Sequence, residues 1–279
     1  MRGGPSPETA RNFMDIMSRN SGAGALVLAM ALLQVPATAA VPAQPIERLE
    51  AEAKARWLRR DEPAGARAAV ALYDRITALE PGRAEYQVSL ARALWWYAMM
   101  RPAAAVVERR ALLGRSVDAA RRAQRLAPRD PGGFYWEAAS RAQAAALGGW
   151  AVAPGEIWRV RSLVARVRAM NPWYHHGTIR TVEAELILAM PAWERWITGE
   201  GRGRSVDLAM EALGFENSCL HGHWVLARSL EAAGRLGAAL AQLDFILRAR
   251  PDAFLPDAPE NRVVKRWAAA MRATLVGRR

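Results

Sequence analysis

The chain has 279 residues, of which 52% are hydrophobic and 24% charged, with a formal net charge of +12. This composition excludes a disordered polypeptide and leaves enough apolar material for one core or one repeat array. Cys219 is the only cysteine, so an internal disulfide is excluded and the fold depends on packing.

In chain order, the first feature is an uncharged stretch from Ser21 to Val35, preceded by Arg11 and Arg19 and followed by Pro36-Ala-Thr-Ala-Ala40. The apolar run is shorter than the ~20 residues that cross a bilayer, and small residues follow it at the spacing of a cleavage site. Residues 1–40 are therefore predicted to be a secretory signal peptide, cut after Ala39 or Ala40, with Met1, Met14 and Met17 as candidate starts. An uncleaved anchor or a buried apolar helix is the alternative. No cysteine follows at a lipid-attachment position, so the expectation is a soluble periplasmic protein that meets the membrane only through its leader.

The leader carries Arg2, Arg11 and Arg19 against Glu8 and Asp15, which leaves about +11 on the rest of the chain. Such a surplus suits nucleic acid, an acidic partner or an anionic membrane surface. The charges are scattered along every segment, however, and export disfavours nucleic acid, so we read them as a general preference for arginine.

Residues 41–47 read as a short linker, and 48–279 as a single helical array. Alanine, leucine and arginine dominate, with no sustained alternation of the kind a strand needs, so the fold class is all-α. Helical segments end at Leu79-Glu-Pro81, Leu126-Ala-Pro128, Met170-Asn-Pro172, Phe215-Glu-Asn217 and Ala249-Arg-Pro251. Proline cannot continue a helix and restrains the residue before it. The marks lie 47, 44, 45 and 34 residues apart, and the last spacing is the tetratricopeptide period.

The final unit, Leu220 to Pro251, resembles a tetratricopeptide repeat. Ala227 and Ala239 stand at small crossing positions, Gly234 in the turn, and Leu243 and Ile246 on the buried face. The pentapeptide Gly-Arg-Ser-Val-Asp occurs at both 114–118 and 203–207, which we read as internal duplication of the second helix of two units. Three units carry extra residues near Tyr97 to Leu113, Leu147 to Glu156 and Met190 to Arg202, predicting extended turns within the repeats. Pro259 to Val276 puts Val263, Val264, Trp267, Met271 and Leu275 on one stripe and reads as a capping helix.

Beyond the repeat, four segments resemble the tetratricopeptide-like T-components of tripartite ATP-independent periplasmic (TRAP) transporters. They are Phe134-Tyr-Trp-Glu-Ala-Ala139, Met170-Asn-Pro-Trp-Tyr-His-His-Gly177 followed by Arg180, Leu188-Ala-Met-Pro191, and Pro259-Glu-Asn-Arg262. The likeness covers roughly residues 84 to 276 and consists of diffuse packing patterns. It implies an all-helical array, sometimes oligomeric, that works with a periplasmic solute-binding partner in uptake. Members of that family are often lipoproteins, and this chain lacks the anchoring cysteine. An envelope protein–protein scaffold is the other functional reading.

No segment carries a catalytic signature: there is no Gly-x-Ser-x-Gly elbow, no phosphate loop and no His-Glu-x-x-His pattern. His175, His176, His221 and His223 lack helical ligand spacing and are expected to cap or pack. Glu183 and Glu185 point to different sides of one helix, and Glu183 is expected to pair with an arginine. Neither enzyme activity, cofactor nor metal is expected. Aligning the first helices of the units puts Arg92, Arg141 and Arg228 in one register, predicting a row of guanidinium groups along the concave face. Trp95, Trp96, Arg180 and Trp224 fall at other groove positions. Together these seven residues predict a groove for an acidic or amphipathic ligand, an extended peptide or an organic acid. The arginines bridging adjacent repeats is the alternative. Trp150, Trp158, Trp193 and Trp196, among eleven tryptophans, are expected to pin the long turns, or else to form an aromatic rim facing a partner.

Overall fold

A computed structural model describes residues 45–148, 154–215, 219–253 and 257–277; the expected leader, Trp150 and Asn217 lie outside the described residues. Gln44–Arg279 forms one compact unit. Among the described residues there are twelve α-helices and no strand. They are α1 (Ile46–Trp57), α2 (Pro63–Leu79), α3 (Ala84–Met100), α4 (Val106–Leu126), α5 (Pro131–Gly148), α6 (Pro154–Met170), α7 (Ile179–Ala189), α8 (Ala192–Thr198), α9 (Arg202–Phe215), α10 (Leu220–Ala232), α11 (Leu236–Arg248) and α12 (Ala258–Val276).

α2, α4, α6 and α11 stop two or three residues before Pro81, Pro128, Pro172 and Pro251. The helices pack as pairs, α1/α2, α3/α4, α5/α6, α7/α9 and α10/α11. The first helices of successive pairs also pack on one another, α3 on α5, α5 on α7, α7 on α10 and α10 on α12, so they form the inner wall of the array. In the last pair Ala227, Ala239, Leu243 and Ile246 are fully buried, and Gly234 takes φ +76° in the turn, a conformation glycine adopts without steric cost.

The extra residues of the longer units are used in different ways. In the second unit they lengthen the helices to 17 and 21 residues, so Gly114 lies inside α4 rather than at its start. In the fourth unit they form α8, a seven-residue helix. Both copies of the pentapeptide place a fully buried serine, Ser116 and Ser205; Ser116 Oγ bonds the Ala91 carbonyl at 2.8 Å.

The last helix does more than cover the end of the stack. Of the expected stripe, Val263, Val264 and Leu275 are buried and Trp267 and Met271 half-buried, with Ala268 buried beside them. The next face returns to the turn between α1 and α2. Arg262 Nε and a terminal nitrogen donate to the two Asp61 oxygens at 2.8 and 3.2 Å, and Arg266 donates to the Asp61 carbonyl at 2.9 Å. These residues are about two hundred positions apart in sequence, so the inner wall closes upon itself.

Candidate functional site

The closed wall surrounds a chamber of about 220 Å³. α1 contributes Trp57, the turn after it Arg60, α3 Arg92, Trp95 and Trp96, and α5 Tyr135 and Trp136. His175 and His176 come from the turn before α7, Glu185 from α7, His221 from α10, and Asp257 and Glu260 from the start of α12. The aromatic rings pack at tilted angles around this space: Trp95 lies 5.9 Å from Trp96 and 5.7 Å from Trp136. Two guanidinium groups lie on the rings. Arg92 sits 4.3 Å from the centre of Trp57, and Arg60 sits 4.5 Å from Trp57 and 5.7 Å from Trp96.

The backbone under the histidines is unusual. His175 (φ 50°), His176 (φ 59°) and Gly177 (φ 70°) form three successive left-handed residues in the turn Tyr174–Gly177. Left-handed non-glycine residues cost of order 1 kcal/mol each and persist where their surroundings fix them. Here Thr178 is the fixing group. Its hydroxyl donates to the His175 carbonyl at 2.6 Å, and it lies 2.8 Å from the Tyr135 hydroxyl and 3.1 Å from His175 Nδ1. A hydroxyl has one proton, so Tyr135 and His175 Nδ1 must both donate to it. That assignment puts the imidazole proton on Nδ1 and leaves Nε2 as an acceptor. Burial, with Arg92 and the other histidines nearby, holds the His175 pKa down to about 3, so the ring stays neutral.

Several polar atoms of the wall have no partner among the described residues. Arg92 Nε and Trp95 Nε1 are fully buried and donate to nothing, and Trp95 is only 8% exposed. The Arg92 guanidinium also lies near the Tyr73 hydroxyl. On the other side, burial raises the pKa of the Glu260 carboxyl; His221 and Arg60 oppose that shift, and Asp257 adds to it. Burial lowers the pKa of Arg60. Buried donors and acceptors are nearly always satisfied in folded proteins, so these unmade bonds single out the chamber as the candidate site.

The single row of arginines expected from the register does not form. Arg92, Trp95 and Trp96 line the chamber. Arg141 instead bonds Glu137 at 2.8 Å and also pairs with Glu156, against a separate surface hollow. Arg228 pairs with Glu185 at 3.2 Å and lines, with Trp224, an adjoining hollow of about 600 Å³ that shares Trp95, Glu185 and His221 with the chamber. Arg180 bonds Glu211 at 3.1 Å. The register sets where each Cα lies, but the nearest carboxylate decides where each guanidinium goes.

His223 packs on Phe245 and bonds Gln242, as a packing histidine should, whereas His175, His176 and His221 face the chamber. Glu183 meets Arg168 at 4.0 Å. The tryptophans of the longer turns do not pin them: Trp158 on α6 and Trp193 and Trp196 on α8 are about half to four-fifths exposed. Among the described residues no three His, Cys, Asp or Glu side chains gather as metal ligands, and no helix is long and apolar enough to cross a membrane. Sequence reading missed Trp57, Arg60, Tyr135, Trp136, Asp257 and Glu260 as wall residues. Tyr135, Trp136, His175 and Glu260 nonetheless lie in segments that carry the resemblance, and this was the available signal.

No protein-family model matches the chain, and no curated protein matches it. Solved structures do. A thermophilic tetratricopeptide protein of Thermus thermophilus, TTC0263, is 19% identical and superposes with a TM-score of 0.55, covering 81% of this chain and 100% of its own. The MamA protein is 11% identical with a TM-score of 0.41, over 80% of this chain and 94% of its own. The first of these likenesses shows that the fold is of the tetratricopeptide type.

Proposed function

We propose that this chain is an exported helical-repeat binding protein, without catalytic activity, that holds a small organic ligand in its closed inner chamber. The observation that carries this reading is the pair of buried N–H groups, Arg92 Nε and Trp95 Nε1, left without acceptors on the wall of a closed space. A space somewhat larger than the ~150 Å³ that takes benzene suits a compact molecule rather than an extended peptide. Donors on guanidinium and indole suit an acidic end, and the aromatic walls suit an apolar body. The uncharged stretch of the expected leader supports export, and the likeness of the wall-forming segments to T-components supports a role beside a TRAP-type transporter.

Native mass spectrometry of the protein purified from the periplasm tests this. The expected result is a small-molecule adduct that denaturation releases and that Arg92→Gln or Trp95→Phe diminishes. If the wild type carries no adduct, and no organic acid raises its melting temperature, the chamber is not a binding site.

A second reading rests on a different observation. Trp193, Trp196 and Ile197 on α8, with Trp158 on α6, are exposed apolar side chains, and a helical-repeat fold suits a protein partner. Capture of a solute-binding protein through this edge is compatible with a ligand in the chamber. Substituting Trp193 and Trp196 with Ser should then abolish the capture and leave the adduct unchanged.

A further inference from the structure

The chamber wall has two unlike poles, and their chemistry specifies the ligand more closely than an organic acid. One pole is made of donors. Arg92 and Trp95 are three residues apart on α3 and therefore share a face, and both present a buried N–H with no acceptor. The other pole is made of acceptors. Glu260 lines the chamber from the first turn of α12 with Asp257 just before it, and among the described residues its carboxyl accepts no hydrogen bond and forms no ion pair. Bookkeeping at Thr178 leaves His175 Nε2 as a further acceptor.

The charges also balance. Arg228 neutralises Glu185 at 3.2 Å; of the other charged groups, Arg60 and Arg92 carry two positive charges into the space, and Asp257 and Glu260 two negative ones. A monoanion seated there would lie against two carboxylates, and a monocation against two guanidinium groups; either arrangement buries an uncompensated charge. His221 and Arg60 are the neighbours that favour the Glu260 carboxylate most.

Resting on the reading of the chamber as a ligand site, we infer that its occupant is a zwitterion: an amino acid whose carboxylate accepts from Arg92 and Trp95 and whose ammonium donates to Glu260. The unmet acceptors call for N–H donors, so the cationic end is a primary or secondary ammonium rather than a quaternary one. The aromatic rings between the poles cover the carbon chain that joins the two ends.

Calorimetric titration at about pH 7 tests the inference with two matched sets of probes. One is 6-aminohexanoate, hexanoate and hexylamine, which separates the charged ends; the other is L-leucine, 4-methylpentanoate and 3-methylbutylamine, which places them on adjacent carbons. At least one zwitterion should bind about tenfold or more tightly than either of its halves. Glu260→Gln should remove that advantage without weakening the carboxylate probes, and Arg92→Gln should weaken zwitterion and carboxylate alike. If hexanoate or 4-methylpentanoate binds as tightly as its zwitterion, the chamber remains a site for acids and the inference is overturned. If no probe binds and the purified protein carries no adduct, the chamber reading fails and the inference fails with it.

Discussion

Two clusters of charge lie inside this protein, and they have been treated in opposite ways. Between α4, α5 and α6 the Glu137 carboxylate is almost fully buried, and every oxygen is engaged: Arg121 at 3.0 Å, Arg141 at 2.8 Å and Gln124 at 2.7 Å. In the chamber, Arg92 Nε and Trp95 Nε1 are likewise withdrawn from water, and they and the half-buried Glu260 carboxyl lack such partners among the described residues. Burial costs both clusters desolvation, but only the first recovers it within the chain. A satisfied cluster holds helices together, and an unsatisfied one waits for something that the chain does not supply.

The largest expected effect breaks the satisfied cluster. Glu137→Ala removes the acceptor that Arg121, Arg141 and Gln124 share, leaves Arg141 only its pair with Glu156, and should cost about 3 kcal/mol of unfolding free energy, measured by denaturant titration, with no selective change in ligand affinity. Next in size is the packing of the same seam. A Cβ on Gly133 would stand 2.8 Å from the Ala120 carbonyl and 2.9 Å from the Gln124 backbone nitrogen, so Gly133→Ala should cost about 1 to 3 kcal/mol.

The chamber should answer with the opposite sign. Glu260→Gln removes a half-buried charge that no ion pair among the described residues neutralises, and should raise stability at about pH 7 by roughly 1 kcal/mol while weakening a ligand that uses it. The pH dependence distinguishes the two carboxyls. Burial alone would raise the Glu137 pKa, but hydrogen bonds from Gln124 and Arg141 outweigh it and hold the group below the usual range. Its contribution is present above the unfolded value of about 4.3 and is lost as pH falls through its lower folded value. Burial holds Glu260 above that range, so its contribution is full below about pH 4.3 and is lost as pH rises through its higher folded value. Wild type and Glu260→Gln should therefore converge in acid and separate toward neutral pH, as thermal melts across pH would read.

The same contrast separates what the amino-acid pattern records from what it hides. The helix pairs, their proline stops and the small crossing residues Ala227 and Ala239 depend on contacts within about forty residues, and a periodic pattern records such contacts. Trp95, Trp96 and Arg92 are legible for the same reason, since a shared register puts them on the inner face of α3. Arg141 is not, because Glu137 lies one turn earlier on its own helix and captures the side chain before it can reach the interior. The acceptor pole is hidden for a different reason. Asp257 and Glu260 enter the chamber only because α12 returns to the first unit, and no local pattern encodes a closure between residues two hundred positions apart.

That closure carries the smallest expected effect and the most direct test of why the chamber is enclosed at all. The Arg262–Asp61 pair is bidentate, and Arg262, with burial opposing it only weakly, keeps the Asp61 carboxyl below the usual carboxylate range. Arg262 is partly exposed, however, so solvent screens the pair and Arg262→Ala should cost no more than about 1 kcal/mol of global stability. Local opening should change more than global unfolding, because α12 remains anchored on α10 and α11 through Val263, Val264 and Leu275 while losing its hold on the α1–α2 turn. Hydrogen exchange should therefore quicken in the first turns of α12 and in the turn after α1, and stay unchanged in α4 and α5. Ligand dissociation should speed up in the same variant with little change in association. Were exchange to quicken uniformly along the chain, the contact would be one stabilising pair among many rather than the clasp that closes the wall.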